Sequence, residues 1–197
     1  MIITVASFKG GVGKTTTAVH LAAYMQLRAS TLLIDGDPNR SSTGWTKRGE
    51  LPFKVVDERQ SARYAREYEY IVIDTEARPD ENDLKELADG CDLLIVPTTP
   101  DALAIDALIQ TVAALEKIGS ERFRILLTII PPRPSHDGEE ARSLMAERGL
   151  PLFKGEIQRL VAFQKAALLG VPVHKVNDPR AEQAWRAYVD VGEEIAK

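Results

Sequence analysis

The stretch Ile2-Ile3-Thr4-Val5-Ala6-Ser7-Phe8-Lys9-Gly10-Gly11-Val12-Gly13-Lys14-Thr15-Thr16 runs from an apolar segment straight into a glycine-rich turn that ends in Lys-Thr-Thr. The apolar segment reads as a strand buried on both faces, and the turn opens a helix near Lys14. Glycines at 10, 11 and 13 let backbone N–H groups close around phosphate oxygens, where a Cβ would obstruct the approach. Lys14 offers an ammonium for the β and γ phosphates, Thr15 a hydroxyl for Mg²⁺, and the helix start a positive N-terminal end. A glycine-rich turn alone can be no more than a tight strand-to-helix connection. Lysine, threonine and strand in one register favour a triphosphate cradle.

Working outward, short apolar runs recur between helical patterns: Thr31 to Ile34, Tyr70 to Ile73, Leu93 to Val96 and Ile125 to Ile130, with a less regular strand at Phe53 to Val56. Thr15 to Arg28, Asp80 to Ala88, Ala102 to Ile118 and Glu139 to Arg148 space their apolar residues three and four apart and suit crossover helices. This predicts an α/β fold: a doubly wound, mostly parallel sheet flanked by helices, as in P-loop NTPases. Further helices are expected over Ser61 to Glu67, Leu160 to Leu169 and Ala181 to Ile195, with a short strand at Leu152-Phe153. The loop-rich breaks, Asn39 to Pro52 and Pro131 to Gly138, are too short for linkers, so residues 1–197 are expected to form a single domain.

The chain has 197 residues, 44% of them hydrophobic, and a net charge of −4, so any nucleic-acid binding must come from a local basic patch. No run approaches the roughly 18 apolar residues of a membrane span, and no leader precedes the first strand, which predicts a cytoplasmic protein. Cys91, the one cysteine, removes disulfides and thiolate clusters and reads as a buried, inert thiol. His20, His136 and His174 have no ligand spacing.

Carboxylates recur where these strands end. Leu32-Leu33-Ile34 leads into Asp35-Gly36-Asp37-Pro38-Asn39-Arg40, and Ile71-Val72-Ile73 into Asp74-Thr75. In an open parallel sheet ligands gather at the carboxyl ends of strands. Any one such aspartate can be a helix cap or loop residue. Behind a phosphate loop, Thr15, Asp35 and Asp74 become candidates to hold Mg²⁺, which needs few protein ligands and keeps waters.

Counting back from Gly13, Phe8 stands where G-x-x-x-x-G-K-[ST] has its first glycine, and Lys9 lies beside it. Residues Lys9-Gly10-Gly11-Val12-Gly13-Lys14-Thr15-Thr16 resemble the deviant Walker A box of the ParA/MinD family of ATPases. The resemblance implies ATP and Mg²⁺ as cofactors and a homodimer formed on ATP, with Lys9 reaching the partner's nucleotide as an arginine finger does. Asp35-Gly36-Asp37-Pro38 resembles the family's D-x-D-P-Q element, with Asn39 for Gln, which implies that Asp37 positions or polarises the attacking water. Catalytic roles thus fall to Lys9, Lys14 and Asp37. Thr75-Glu76-Ala77-Arg78-Pro79, the implied switch II, departs from the small or proline residues common there, and Glu76 needs Arg78 or a lysine of a second subunit as partner, with a solvent-exposed charge pair the plainer reading. Val96-Pro97-Thr98-Thr99-Pro100 resembles the family's proline-bearing turn near the dimer interface, and relatives contact adenine around the positions of Thr128 to Pro132.

The tail from Glu156 resembles small ParA proteins of the ParF type. There, basic residues bind nonspecific DNA once the dimer doubles the patch; Arg159, Lys165, Lys175, Arg180 and Arg186 are the candidates here. Glu182, Glu193 and Glu194 lie nearby and partly cancel them, so a solvated helix face is the alternative. The C-terminal segment is too acidic for an amphipathic membrane anchor, so no membrane is expected, unlike in the MinD branch.

These readings imply a nucleoid-associated positioning ATPase, released from DNA when a cargo-adaptor protein stimulates hydrolysis. Its cargo is a plasmid, a chromosome or a protein organelle such as a carboxysome. The alternatives are a metabolic P-loop enzyme, such as a dethiobiotin-synthetase-like ligase, or a MinD-like membrane-associated regulator.

Overall fold

The computed structural model describes residues 1–77 and 81–197. In chain order its elements are β1 (Ile2–Ser7), α1 (Lys14–Gln26), β2 (Thr31–Gly36), α2 (Ser41–Thr46), β3 (Lys54–Asp57), α3 (Ser61–Tyr64), β4 (Tyr70–Ala77) and α4 (Glu81–Asp89). There follow β5 (Leu93–Thr98), α5 (Ala102–Lys117), β6 (Phe123–Leu127), α6 (Asp137–Glu147), α7 (Val161–Leu169) and α8 (Ala181–Ile195). The six strands form one sheet in the order β3-β2-β4-β1-β5-β6, and every pairing is parallel.

Side-chain alternation along the strands feeds two apolar layers. Ile3, Val5, Leu33, Val72, Ile95 and Leu126 face α1, α7 and α8, whereas Ala6, Leu94, Val96, Ile125 and Leu127 face α4, α5 and α6. At the β3 edge Leu32, Ile34, Val56 and Ile71 make a smaller cluster against Tyr64, Ala65 and Tyr68. Each fully buried Val, Leu or Ile contributes about 1.5–3 kcal/mol, so the two layers hold the sheet rigid under its loops.

Helix α1 is buried on nearly every side, ten of its thirteen residues, because the sheet covers one face and α8 the other. The Thr17 and Tyr188 hydroxyls hydrogen-bond at 3.1 Å, and the His20 ring stacks on Tyr188 at 4.9 Å. His20 accepts the Val173 N–H on Nε2 (3.0 Å) and donates Nδ1–H to the Thr16 carbonyl (2.7 Å), which makes it a neutral core residue. Burial lowers its pKa to about 4. Cys91 is buried, its Sγ 3.7 Å from the Ala88 carbonyl, and burial pushes its thiol up.

The strands run further than their apolar cores. β2 continues through Asp35 and Gly36, and β4 through Asp74 to Ala77, since each remains in the parallel ladder. β6 instead stops at Leu127, short of the expected Ile130, because Ile129 adopts φ 53°. Leu152 contributes a single bridge to Ile125 rather than a strand, and Ser61 to Glu67 divides into the short α3 and a 3-10 turn at Ala65–Glu67. The expected loop from Asn39 to Pro52 contains α2. Its Ser-Ser-Thr-Gly sequence has little helix propensity of its own, but the Asp35 carboxylate accepts the Thr43 N–H at 2.7 Å and satisfies the helix's first turn. Among the described residues, no helix is long and apolar enough to cross a membrane.

Candidate functional site

β1 is the turning point of the sheet: successive strands are added on one side of it as β4, β2 and β3, and on the other as β5 and β6. The glycine loop leaves its carboxyl end at this crevice. Gly13 has φ 83° and caps α1 in a left-handed conformation that a side chain would strain. The loop is pinned from the end of β6, two strands away, by the Thr128 hydroxyl, which donates to the Val12 carbonyl at 2.8 Å. Lys14 folds over the loop, its Nζ 3.3 Å from the Lys9 carbonyl. Burial lowers its pKa, opposed by the charges of Asp74 and Asp37.

Two cavities meet at this loop. One, of about 440 Å³, is lined by Gly10, Gly11, Gly13, Lys14, Thr15 and Thr16 with Asp37, Asn39 and Ser41. The other, of about 230 Å³, is more apolar and is walled by Thr128, Ile129, Ile157, Leu160, Phe163 and Tyr188, with Gln158, Arg159 and Gln164 at its edge. They share Gly13, Thr16 and Ile129, and so form one bipartite cleft: polar and glycine-rich at the phosphate loop, apolar towards α7. Ile129, at φ 53°, is a β-branched residue in a conformation such residues rarely hold, and it stands at the junction.

Asp35 and Asp74 are expected where their strands end; both lie within strands and have no exposed surface. Asp35 is spent on structure, accepting from the Asp37 N–H (3.3 Å) and the Thr43 N–H (2.7 Å). Asp74 accepts the Ser42 hydroxyl on Oδ2 at 2.7 Å, while among the described residues no group lies within full hydrogen-bond geometry of its buried Oδ1. Burial raises its pKa to about 6, against the pull of the Ser42 and Thr15 hydroxyls and with further push from Asp35 and Asp37. Asp37 accepts from the Asn39 N–H (2.9 Å), the Asn39 side chain (3.0 Å) and the Ser41 hydroxyl (2.7 Å). Its partial burial alone raises its pKa, but these bonds and the Lys14 charge bring it below the usual carboxylate range.

The open Asp74 oxygen and the adjacent Thr15 hydroxyl are donors that fit a hard cation, with Asp35, its two oxygens already taken by N–H groups, standing behind them. Among the described residues no three His, Cys, Asp or Glu side chains gather into a metal cage, so the remaining ligands of such an ion come from phosphate and water. Ser42 carries no motif; only its place in the helix that Asp35 nucleates brings it to Asp74.

Lys9 lies outside the phosphate cavity. Its Nζ is 2.7 Å from Asp101 Oδ1 at the start of α5, beside a cavity of about 290 Å³ on the other side of Gly10, Gly11 and Ile129. The tail residues do not form one free basic patch. Lys165 is held by Asp178 at 2.7 Å and Arg186 by Asp190 at 3.0 Å, which removes part of their charge. Arg159 borders the apolar cavity, and Lys175 and Arg180 are exposed. Glu76 is exposed, and its expected partner Arg78 lies outside the described residues.

A parallel sheet with a glycine loop at its turning point, a loop lysine and paired strand-end aspartates defines a mononucleotide-binding P-loop protein. The model of the CobQ/CobB/MinD/ParA nucleotide binding domain matches residues 3–173, and the chain belongs to that family. It is similar to the Maintenance of carboxysome distribution protein A of Gloeobacter kilaueensis, 35% identical with 98% of this chain and 93% of that one covered. Protein ParA of Rhizobium radiobacter is 25% identical, covering 93% and 89%. The fold also matches the solved apo McdA of Cyanothece, with a TM-score of 0.74, 18% identity and 100% and 99% of the chains covered.

Proposed function

We propose that the chain is an ATP-hydrolysing positioning switch: it pairs on ATP, holds nonspecific DNA as a dimer, and is released when an adaptor on the cargo stimulates hydrolysis. The observation that carries this reading is the split between the two loop lysines. Lys14 bends over the phosphate cavity, whereas Lys9, from the same loop, projects away from it. A lysine that does not serve its own cleft is available to a second subunit.

In this reading the triphosphate lies along residues 10–16, with the base in the cavity between Ile129 and Phe163. Thr15 and Asp74, with Asp35 behind them, would hold Mg²⁺, which would supply charge neutralisation for the triphosphate. Asp37 retains an ionised carboxylate at neutral pH and faces the same cavity. It orients a water whose oxygen bonds to the γ phosphorus as the bond to the β,γ-bridging oxygen breaks; the electrons of that bond stay on the ADP oxygen, and the water's proton passes to the Asp37 carboxylate and on to solvent. Lys14 stabilises the charge that grows on the bridging oxygen, and the partner's Lys9 does the same from across the interface.

The likeness to a carboxysome distribution protein over nearly the whole of both chains favours a carboxysome as cargo, with a plasmid or chromosome as the other candidates. DNA contact then rests on Arg159, Lys175 and Arg180, reinforced by Lys165 and Arg186, in one domain spanning residues 1–197. The test is retention on a nonspecific duplex at low salt with Mg²⁺-ATP, with ADP and without nucleotide, alongside phosphate release with and without that DNA. Retention confined to Mg²⁺-ATP and weakened steeply by salt supports the switch. Equal retention in all three states, or none in any, contradicts it.

A further inference from the structure

The Lys9–Asp101 pair joins residues 92 positions apart and fixes the ammonium that the proposed dimer needs. Asp101 is not a loosely placed acid. Its Oδ1 also accepts the Ala104 N–H at 3.0 Å, capping the sixteen-residue α5, and its Oδ2 takes the Thr99 hydroxyl. These contacts hold its pKa at about 2, the Lys9 hydrogen bond first among the causes, so the carboxylate stays charged at any working pH. Lys9 is tied at its backbone too: its N–H donates to Ser7 Oγ at 3.3 Å, and its carbonyl takes Lys14 Nζ at 3.3 Å.

We propose that Asp101 is a positioning residue for Lys9: the pair within one subunit parks the Lys9 ammonium on the start of α5, and it must open before Lys9 can reach a second subunit. This rests on the ATP-dependent pairing proposed above and names its gate. The loop supplies the coupling. A phosphate that draws Lys14 Nζ to itself takes it from the Lys9 carbonyl, so nucleotide entry removes one of the tethers on Lys9 in the same step that completes the cleft. The ion pair is partly exposed, with 30% and 53% of the two side chains accessible, so it holds the lysine weakly enough to be exchanged. Its strength sets the point at which ATP tips the chain into the dimer.

Sedimentation equilibrium of the full chain with Mg²⁺ and a non-hydrolysable ATP analogue tests this, comparing wild type, Asp101→Asn, Lys9→Ala and the double variant. Asparagine caps a helix as well as aspartate does, and Asp101→Ser offers a second capping replacement, so loss of α5 does not confuse the result. An exposed pair is equivalent to roughly a two- to fivefold bias per subunit, and a dimer opens two of them. Asp101→Asn is therefore expected to tighten the dimer by about four- to 25-fold at low salt, with the gap closing as salt screens the wild-type pair. In the Lys9→Ala background the same change is expected to do nothing. A wild type that dimerises with an unchanged or weaker dimer in both capping variants overturns the gate while leaving the pairing intact. So does an equal gain without Lys9. Dimerisation of Asp101→Asn where wild type stays monomeric supports the gate, and failure of every variant to dimerise overturns the gate and the pairing together.

Discussion

Asp35 and Asp74 stand opposite each other in the parallel register of β2 and β4, both without exposed surface, yet of the two only Asp74 keeps an oxygen with no hydrogen-bond partner among the described residues. Two carboxylates this close and this dry repel one another, and a cation at the open oxygen would relieve them. Holding Asp74 ionised at neutral pH costs up to about 3 kcal/mol, from a pKa raised from 3.8 to about 6. Asp74→Asn keeps an acceptor for Ser42 while removing the charge. Its nucleotide-free melting temperature is expected to equal or exceed that of wild type. The extra stabilisation that Mg²⁺ adds to ATP is expected to disappear, as read by differential scanning fluorimetry with ATP plus Mg²⁺ against ATP plus EDTA.

Asp37 is held by three hydrogen bonds from Asn39 and Ser41, so its carboxylate is oriented as well as charged. Asp37→Ala is expected to slow phosphate release about 10²-fold with little change in nucleotide affinity. Single-turnover hydrolysis and fluorescent-nucleotide titration separate the two. A parallel loss of binding would move Asp37 from the chemistry to the cradle.

His20 makes the fold sensitive to acid. Folded, it binds its proton only below about pH 4, whereas an unfolded histidine does so below about 6.5, so the unfolded state gains protons first as pH falls. Its contribution is complete above pH 6.5 and declines towards pH 4, by about 2 kcal/mol at pH 5 and about 3 kcal/mol at pH 4. Urea unfolding between pH 7.5 and 4.5 is expected to show a steeper loss in wild type than in His20→Gln, whose stability is lower but flatter with pH.

Gly170 ends α7 at φ 68° against the turn after α2; a Cβ there would sit 2.3 Å from the Trp45 carbonyl oxygen and 2.4 Å from the Gly49 nitrogen. Both obstacles are backbone and cannot swing aside. Gly170→Ala is expected to lower unfolding stability by about 2–3 kcal/mol, measured by urea titration.

The sheet and the phosphate loop were legible because their signals are local. Ile2 to Ala6 is apolar but for Thr4, Ile71 to Ile73 is apolar throughout, and the glycines and Lys14-Thr15 come within a few residues of the first run. What the sequence hid depends on distant partners. Helix α2 exists because a strand carboxylate, Asp35, receives its Thr43 N–H, so its serines and glycine read as loop. The apolar half of the cleft is assembled from residues near 128 and 160, which no spacing rule connects. Asp101 did carry a local signal, an acid between Pro100 and an apolar helical pattern, but that marks a helix cap and says nothing of Lys9. The basic tail was legible as charge, not as free charge: Asp178 and Asp190 pair with Lys165 and Arg186 within the same chain.

The reading as a switch turns on whether nucleotide joins two copies of the chain through Lys9. Light scattering on a sizing column gives the answer directly. The chain mass of 21.7 kDa is expected with ADP and twice that mass with Mg²⁺ and a non-hydrolysable ATP analogue, reverting to 21.7 kDa in Lys9→Ala. A single mass under both nucleotides, or a dimer that persists without Lys9, contradicts the account.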